Sequence, residues 1–253
     1  MPENPRSVIV IPARLQSTRL PGKMLLDETG KPLIVHTLEA AGKNSKTDSV
    51  IVATDDEEIF SVVERCGHAV EMTSVDHQSG TDRVAEVIER HPEFDIVVNL
   101  QGDEPGISGE AIDLAISMLE QNPDVMLSTL ATPIRSKELL EDPACVKVVL
   151  DQKGQALYFS RSPVPHAREW SDDLLADEPA RFLQHVGLYA FRRELLLQFP
   201  SLPECRLESL ERLEQLRVLS AGYSICVGLI DEPILGIDTP EDYQQFVRKW
   251  ASG

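Results

Sequence analysis

The chain has 253 residues and a mass of 28.1 kDa, with 42% hydrophobic and 26% charged residues. That balance excludes a disordered, collagenous or coiled-coil protein, and the length allows one large α/β domain or two small ones around a real core. A formal net charge of −18 excludes sequence-independent nucleic-acid binding through a basic face.

No stretch approaches the roughly 20 consecutive apolar residues of a membrane span. The apolar run at 8–11 breaks at Pro12, too early for a signal-peptide core. Cys66, Cys145, Cys205 and Cys226 lie far apart with no CxxC pair, which reads as reduced thiols. A soluble cytoplasmic protein with no membrane partner is expected. The charge is unevenly spread: residues 1–46 hold seven bases against four acids, leaving −21 for the rest. A basic island on an acidic chain suggests a pocket for a small anion, although Lys31, Lys43 and Lys46 read as the solvated end of a helix.

In chain order, residues 7–12 (SVIVIP) form a β-branched run suited to a strand buried on both faces. A polar loop leads to Pro32, a good first helical residue, and a helix is predicted through Ala41, closed by Gly42. Residues 49–53 read as the second strand, 56–66 as a helix, 69–72 as a short strand and 81–90 as a helix. Residues 95–100 (DIVVNL) read as another buried strand, followed by a helix over 108–121. This alternation implies parallel strands joined by crossover helices. Beyond about residue 127 the pattern changes: 125–132, 145–150, 156–160 and 184–191 are strand-like without a full helix between each pair. They read as a mixed or antiparallel subdomain laid onto the parallel sheet. A single amphipathic helix over 207–220, with leucines at every third position, and a C-terminal helix over 240–250 complete the prediction.

Ligands of open parallel sheets bind beyond the carboxyl ends of the strands. The loop after the first strand, residues 13–23, supplies Arg14, Arg19, Lys23, two hydroxyls and a Pro-Gly turn. These are the groups a triphosphate needs, although neither a Walker A loop nor GxGxxG is present. The second loop, Gln101-Gly102-Asp103-Glu104-Pro105, puts an acid where it either ligates a divalent metal or caps a turn. In the third, 236–242 (GIDTPED), Asp238 taken alone reads as a turn or cap residue. The fourth, 76–83 (DHQSGTDR), enters a helix N-terminus and suits a base edge or an anion.

The segments RLQSTRLPGK, VATDD, DHQSGTDR, NLQGDEP, VKVVLD, ALYFSR, EQLRVL and GIDTPED occur in one order between about residues 7 and 248. Together they resemble the 3-deoxy-manno-octulosonate (Kdo) cytidylyltransferases of lipopolysaccharide assembly. The resemblance implies a nucleotide-diphospho-sugar transferase fold (GT-A-like, Rossmann-like) with a mainly parallel sheet and an embedded mixed-strand dimerisation subdomain. About 1–125 and 225–253 would form the nucleotide-binding core and about 126–224 the sugar-binding and dimerisation part. It further implies a homodimer, Mg²⁺ dependence, and conversion of CTP and Kdo into CMP-Kdo and diphosphate.

Carried over by motif, Arg14, Arg19 and Lys23 would hold the CTP phosphates, with Arg14 and Lys23 counted as catalytic. Gln78, Ser79, Gly80, Arg83 and Gln101 would line the cytidine. Asp103 and Asp238 would ligate magnesium and serve catalysis, while Arg161, His185, Tyr189, Glu208 and Gln215 would face the sugar acid. Two departures lie near the sugar side: Cys205-Arg206-Leu207-Glu208 lacks the usual Pro, and Pro163-Val164-Pro165-His166 lacks a common aromatic. Activation of 8-amino-Kdo or a sialic acid is therefore the alternative expectation. A glycosyltransferase and a nucleotide-binding regulator are the remaining rivals.

Overall fold

The computed structural model describes residues 5–251 apart from Gln16, Thr18 and Leu235. Strands β1 (Ser7–Ala13), β2 (Ser49–Thr54), β3 (Ala69–Met72) and β4 (Ile96–Asn99) run parallel in the order β3-β2-β1-β4. The helices between them are α1 (Leu33–Ala41), α2 (Glu57–Arg65) and α3 (Gly80–Glu89), with α4 (Gly109–Gln121) after β4. Asp56, Ser79 and Ser108 cap the last three through side-chain oxygens that accept first-turn N–H groups, the chemistry expected of such residues at an N-cap. Pro32 is the N-cap of α1 rather than its first helical residue.

β1 explains the β-branched run. All seven of its residues are buried, and they alternate between two apolar layers. Ile9 and Ile11 pack with Ile34, Leu38, Ile59, Val63 and Ile112 on one face of the sheet. Val8 and Val10 pack with Val84, Val87, Ile88 and Phe94 on the other. Each such side chain contributes about 1.5–3 kcal/mol when fully buried.

In the second half the strands are β5 (Leu127–Pro133), β6 (Lys147–Leu150), β7 (Ala156–Ser160), β8 (Leu183–Arg192) and β9 (Ile225–Leu229). They do not form a layer over the parallel sheet, as the sequence suggested. β8 pairs antiparallel with β4 and β5, and β9 pairs parallel with β5, so the path continues as β4-β8-β5-β9. Only the β6–β7 ribbon branches away, through β6 and β8. The sequence reading missed β9 as a strand, and the third loop, 236–242, does not directly follow one. It also missed the short helices α5 (Lys137–Glu141) and α6 (Arg193–Gln198), which are too brief to show a 3.6-residue period.

The predicted helix over 207–220 is two helices, α7 (Arg206–Glu211) and α8 (Gln215–Ser220). The break is at Arg212, whose φ of 57° is left-handed. Leu207 and Leu210 consequently stay exposed on α7 while Leu213 and Leu216 enter the core, so the leucines do not form one face. An ion pair holds the bend: Arg217 Nη2 lies 2.6 Å from Glu208 Oε1 and Arg217 Nε 2.8 Å from Glu208 Oε2. In a continuous helix residues nine apart would be separated by about 13 Å along the axis. The last helix, α9 (Pro240–Ala251), returns to the loop after β1, where Tyr243 packs with Leu20, Leu33 and Ile237.

Candidate active site

Three loops meet beyond the carboxyl ends of β1 and β4, which lie side by side in the sheet. The first leaves β1 and turns at Gly22, whose φ of 67° and ψ of 17° are left-handed, a conformation costing an L-residue about 1–2 kcal/mol. A 3-10 turn, Lys23–Leu25, follows, with Met24 buried beneath it. Met24 rests on Gly102 of the second loop: a Cβ on Gly102 would stand 3.1 Å from its sulfur and 3.0 Å from Ile34 Cδ1. Thr37 Oγ1 donates to the Gly102 carbonyl at 2.8 Å and fixes this turn from α1.

These anchors direct the Lys23 ammonium, only 11% exposed at its side chain, between two carboxylates. It forms a short ion pair with Asp103 and lies 3.2 Å from Asp238 Oδ1 and 3.3 Å from the Ile237 carbonyl. Arg19 Nη2 reaches the same Asp238 oxygen at 2.9 Å. Ile237 N donates to the Asp103 carbonyl at 2.9 Å, closing the third loop onto the second. Asp238 does not cap α9. The cap is Thr239, whose Oγ1 accepts from Asp242 N at 3.2 Å, and the Asp242 carboxylate reaches back to accept from Asp238 N, Thr239 N and Thr239 Oγ1 at 2.8–3.1 Å. Burial works against the charge on Asp242, but these hydrogen bonds prevail and hold its pKa low. Asp238 is left to face the two cations.

Arg14 is exposed just after β1, and Gln101 is half-buried two residues past the end of β4. Glu104, in the same turn as Asp103, has its Oε2 buried without a hydrogen-bond partner among the described residues. Burial, and then the charges of Asp103 and Asp238, push its pKa up to about 8. Gln16 and Thr18, part of the predicted phosphate loop, lie outside the described residues.

The base-facing residues expected from sequence form a second group around the start of α3. Gly80 packs on Pro12, where a Cβ would stand 3.2 Å from the ring, so this loop closes directly on the end of β1. Gln78 Nε2 donates to the Asp76 carbonyl at 2.8 Å, and Ser79 caps α3. Arg83 is buried beneath them, binding Thr73, the Ser74 carbonyl and Asp55 Oδ2, the last at 2.8 Å. Its guanidinium props the loop from within. Asp55 (in VATDD) and Glu86, which accepts from Ser74 N and pairs with His77, complete that support and were not expected.

The structure divides the residues expected to face the sugar. His185, Tyr189 and Gln215 share a buried region: the His185 and Tyr189 rings are 5.4 Å apart, and Gln215 lines a small cavity with Tyr189, Thr81 and Glu214. The single proton of Thr129 Oγ1 goes to the carbonyl of Val186 or Leu188. His185 Nε2, 2.9 Å from that oxygen, is therefore its donor. Burial pushes the His185 pKa down to about 3 and keeps the Tyr189 phenol protonated. Arg161 and Glu208 are engaged elsewhere. Arg161 binds the carbonyls of Glu211 and Pro143 at 2.8 and 3.0 Å, and Glu208 holds Arg217.

Residues 8–225 match the protein family described as cytidylyltransferase. A 3-deoxy-manno-octulosonate cytidylyltransferase of Rhodopirellula baltica is 47% identical over 248 residues, covering 98% of this chain and 99% of its own. One from Geotalea uraniireducens is 47% identical over 244 residues, covering 95% and 97%. Among solved structures, a CMP:2-keto-3-deoxy-manno-octonic acid synthetase complexed with CTP superposes with a TM-score of 0.90 at 42% identity, covering 98% of this chain and 99% of its own. A 4-diphosphocytidyl-2C-methyl-D-erythritol synthase from Anaerococcus prevotii, at 16% identity, covers 99% of this chain and 100% of its own with a TM-score of 0.65 and shares the fold.

The buried His185 predicts a pH effect. Its folded pKa lies far below the ordinary value of about 6.5, so between those values the unfolded chain binds a proton that the folded one refuses. Stability should fall as pH drops below 6.5, by roughly 1–2 kcal/mol at pH 5. Denaturant melts of the parent and His185→Asn should show a weaker pH slope in the variant between pH 5 and 6.5. Equal slopes would assign the buried ring no such role.

Proposed function

The chain belongs to the cytidylyltransferase family, and on that premise we propose that it transfers a cytidylyl group from CTP to Kdo, giving CMP-Kdo and diphosphate for lipopolysaccharide assembly. The observation that carries this reading is the meeting of Arg19, Lys23, Asp103 and Asp238 at the carboxyl ends of β1 and β4. The near full-length identity to Kdo cytidylyltransferases supports the same substrates.

The chemistry follows from charge. A hydroxyl oxygen of an anionic sugar attacks the α-phosphorus of an anionic nucleotide. The new O–P bond forms as the α–β phosphoanhydride bond breaks, diphosphate leaves with the bonding electrons, and the hydroxyl proton passes to water. Like-charge repulsion is the main barrier, and Arg14, Arg19 and Lys23 offset it from the loop after β1. The Asp76–Gly80 loop, closed against Pro12 and propped by Arg83, suits the cytosine. Tyr189 and the neutral His185 offer hydrogen bonds to the sugar acid without adding charge.

Asp103 and Asp238 fit Mg²⁺, because they are hard oxygen donors that already converge on one cationic point. Among the described residues no group of three metal-ligating side chains gathers. Phosphate oxygens and water would complete the coordination, the usual arrangement for this ion. When bound, Mg²⁺ neutralises charge on the triphosphate and on the departing diphosphate.

No helix among the described residues is long and apolar enough to cross a membrane. The enzyme works in the cytoplasm, a location its free cysteines suit. It is a homodimer: Leu157 on β7 and Leu207 and Leu210 on α7 are exposed apolar side chains in the β6–α7 region, with Leu210 81% exposed. Light scattering at micromolar concentration should give twice the 28.1 kDa of one chain; a mass of one chain would refute the dimer.

The catalytic reading is tested by diphosphate release from CTP with Kdo, 8-amino-Kdo and a sialic acid, in the parent and in Asp103→Asn. Kdo should be the preferred acceptor, and the variant should lose on the order of 10³-fold in rate while keeping its melting temperature. A parent inert toward Kdo, or a variant with near-full activity at saturating Mg²⁺, would contradict it.

A further inference from the structure

Glu104 shares the turn of Asp103, yet the reaction just described makes no use of it. Its backbone is fixed. Glu104 N donates to the Gln101 carbonyl at 3.4 Å, its own carbonyl accepts from Ile107 N at 3.2 Å, and Pro105 follows. Its side chain reaches β8, where a Cβ added at Gly187 would stand 3.8 Å from Oε1. Gly187 lies between His185 and Tyr189, the neighbouring aromatic pair. The nearby cations are taken: Lys23 pairs with Asp103 and Asp238, and Arg19 with Asp238.

The other carboxyl oxygen, Oε2, is buried with no partner among the described residues. A buried polar atom in that condition is costly, and such atoms are kept where a function uses them. The ligand that answers it must bring donors. Phosphates at neutral pH present acceptors almost exclusively, and they belong to the loop after β1. Glu104 faces β8, which lies on the opposite side of β4 from β1. A polyhydroxylated sugar brings O–H donors to that side.

We propose that Glu104 is a sugar-binding residue whose carboxyl group accepts hydrogen bonds from hydroxyls of the sugar acid and orients it against His185 and Tyr189. This rests on the sugar-acid cytidylyltransferase reading above. Glu104 is thereby a specificity residue as well, since a site built around a substrate hydroxyl rejects analogues lacking it.

Steady-state kinetics of Glu104→Ala and Glu104→Gln, with CTP and with Kdo or single-deoxy Kdo analogues, test the assignment beside calorimetric CTP binding and a Mg²⁺ titration. Glu104→Ala should raise the KM for Kdo roughly 10- to 100-fold, the range for leaving a buried hydrogen-bonding group without its partner. Glu104→Gln keeps an acceptor oxygen and should lose less. CTP affinity and the Mg²⁺ requirement should stay within about twofold, which also reports a folded protein, and at least one deoxy analogue should be indifferent to Glu104→Ala. An unchanged KM for Kdo overturns the proposal. So does loss of CTP binding or a raised Mg²⁺ requirement in both variants, which would place Glu104 with the phosphates. A parent without activity on Kdo would instead refute the underlying reading, and is recognised before any variant is compared.

Discussion

The Lys23 ammonium between Asp103 and Asp238 is the contact on which the functional end of this molecule depends. Lys23 is 80 residues from one partner and 215 from the other. Two carboxylates gathered in a partly buried place repel strongly; like charges about 4 Å apart near a protein surface cost about 4 kcal/mol. A cation at the meeting point reverses that sign. Backbone bonds then reinforce it, with Ile237 N on the Asp103 carbonyl and the Ile237 carbonyl accepting from Lys23. The apolar cluster of Leu20, Leu33, Ile237 and Tyr243 clamps the same loops from behind.

The rest of the site is arranged around that charge in two different ways. The loop entering α3, proposed to face the base, is braced by paired polar groups: Arg83 on Asp55 and Thr73, Glu86 on Ser74 and His77. The region near β8 is the reverse. Asn99 Oδ1, Glu104 Oε2 and Gln215 Nε2 are buried without partners among the described residues, while His185 and Tyr189 stay neutral. A braced half suits a base that must be read by fixed contacts. A half with unmet hydrogen-bonding groups suits a substrate rich in hydroxyls.

Much of this could be read from sequence because the strands carry plain signals. The β-branched runs at β1 and β4 require burial on both faces, and parallel strands put their following loops in one crevice. Arg19, Lys23 and Asp103 were legible for that reason, whereas Asp238 does not directly follow a strand, reads alone as a turn or cap residue, and is legible only through the family resemblance. What escaped is whatever depends on tertiary closure. Leucines at every third position from 207 to 219 look like one helix, and no Gly or Pro announces the left-handed turn at Arg212. The bend requires Glu208 and Arg217 to meet, which no local pattern states. The antiparallel β8 between β4 and β5 is likewise invisible locally, since a strand carries no mark of its neighbour's direction. Burial of a single carboxyl is also illegible, so nothing in the sequence sets Glu104 apart within its turn.

On the function proposed above, Asp103 and Asp238 would form half of a divalent-cation site that the nucleotide triphosphate completes. Electron paramagnetic resonance of free Mn²⁺ during titration into the protein measures this without turnover. Binding should be weak for the protein alone, become at least tenfold tighter with CTP, and lose that gain in Asp238→Asn. Mn²⁺ affinity that is the same with and without CTP, or untouched by Asp238→Asn, would contradict the account.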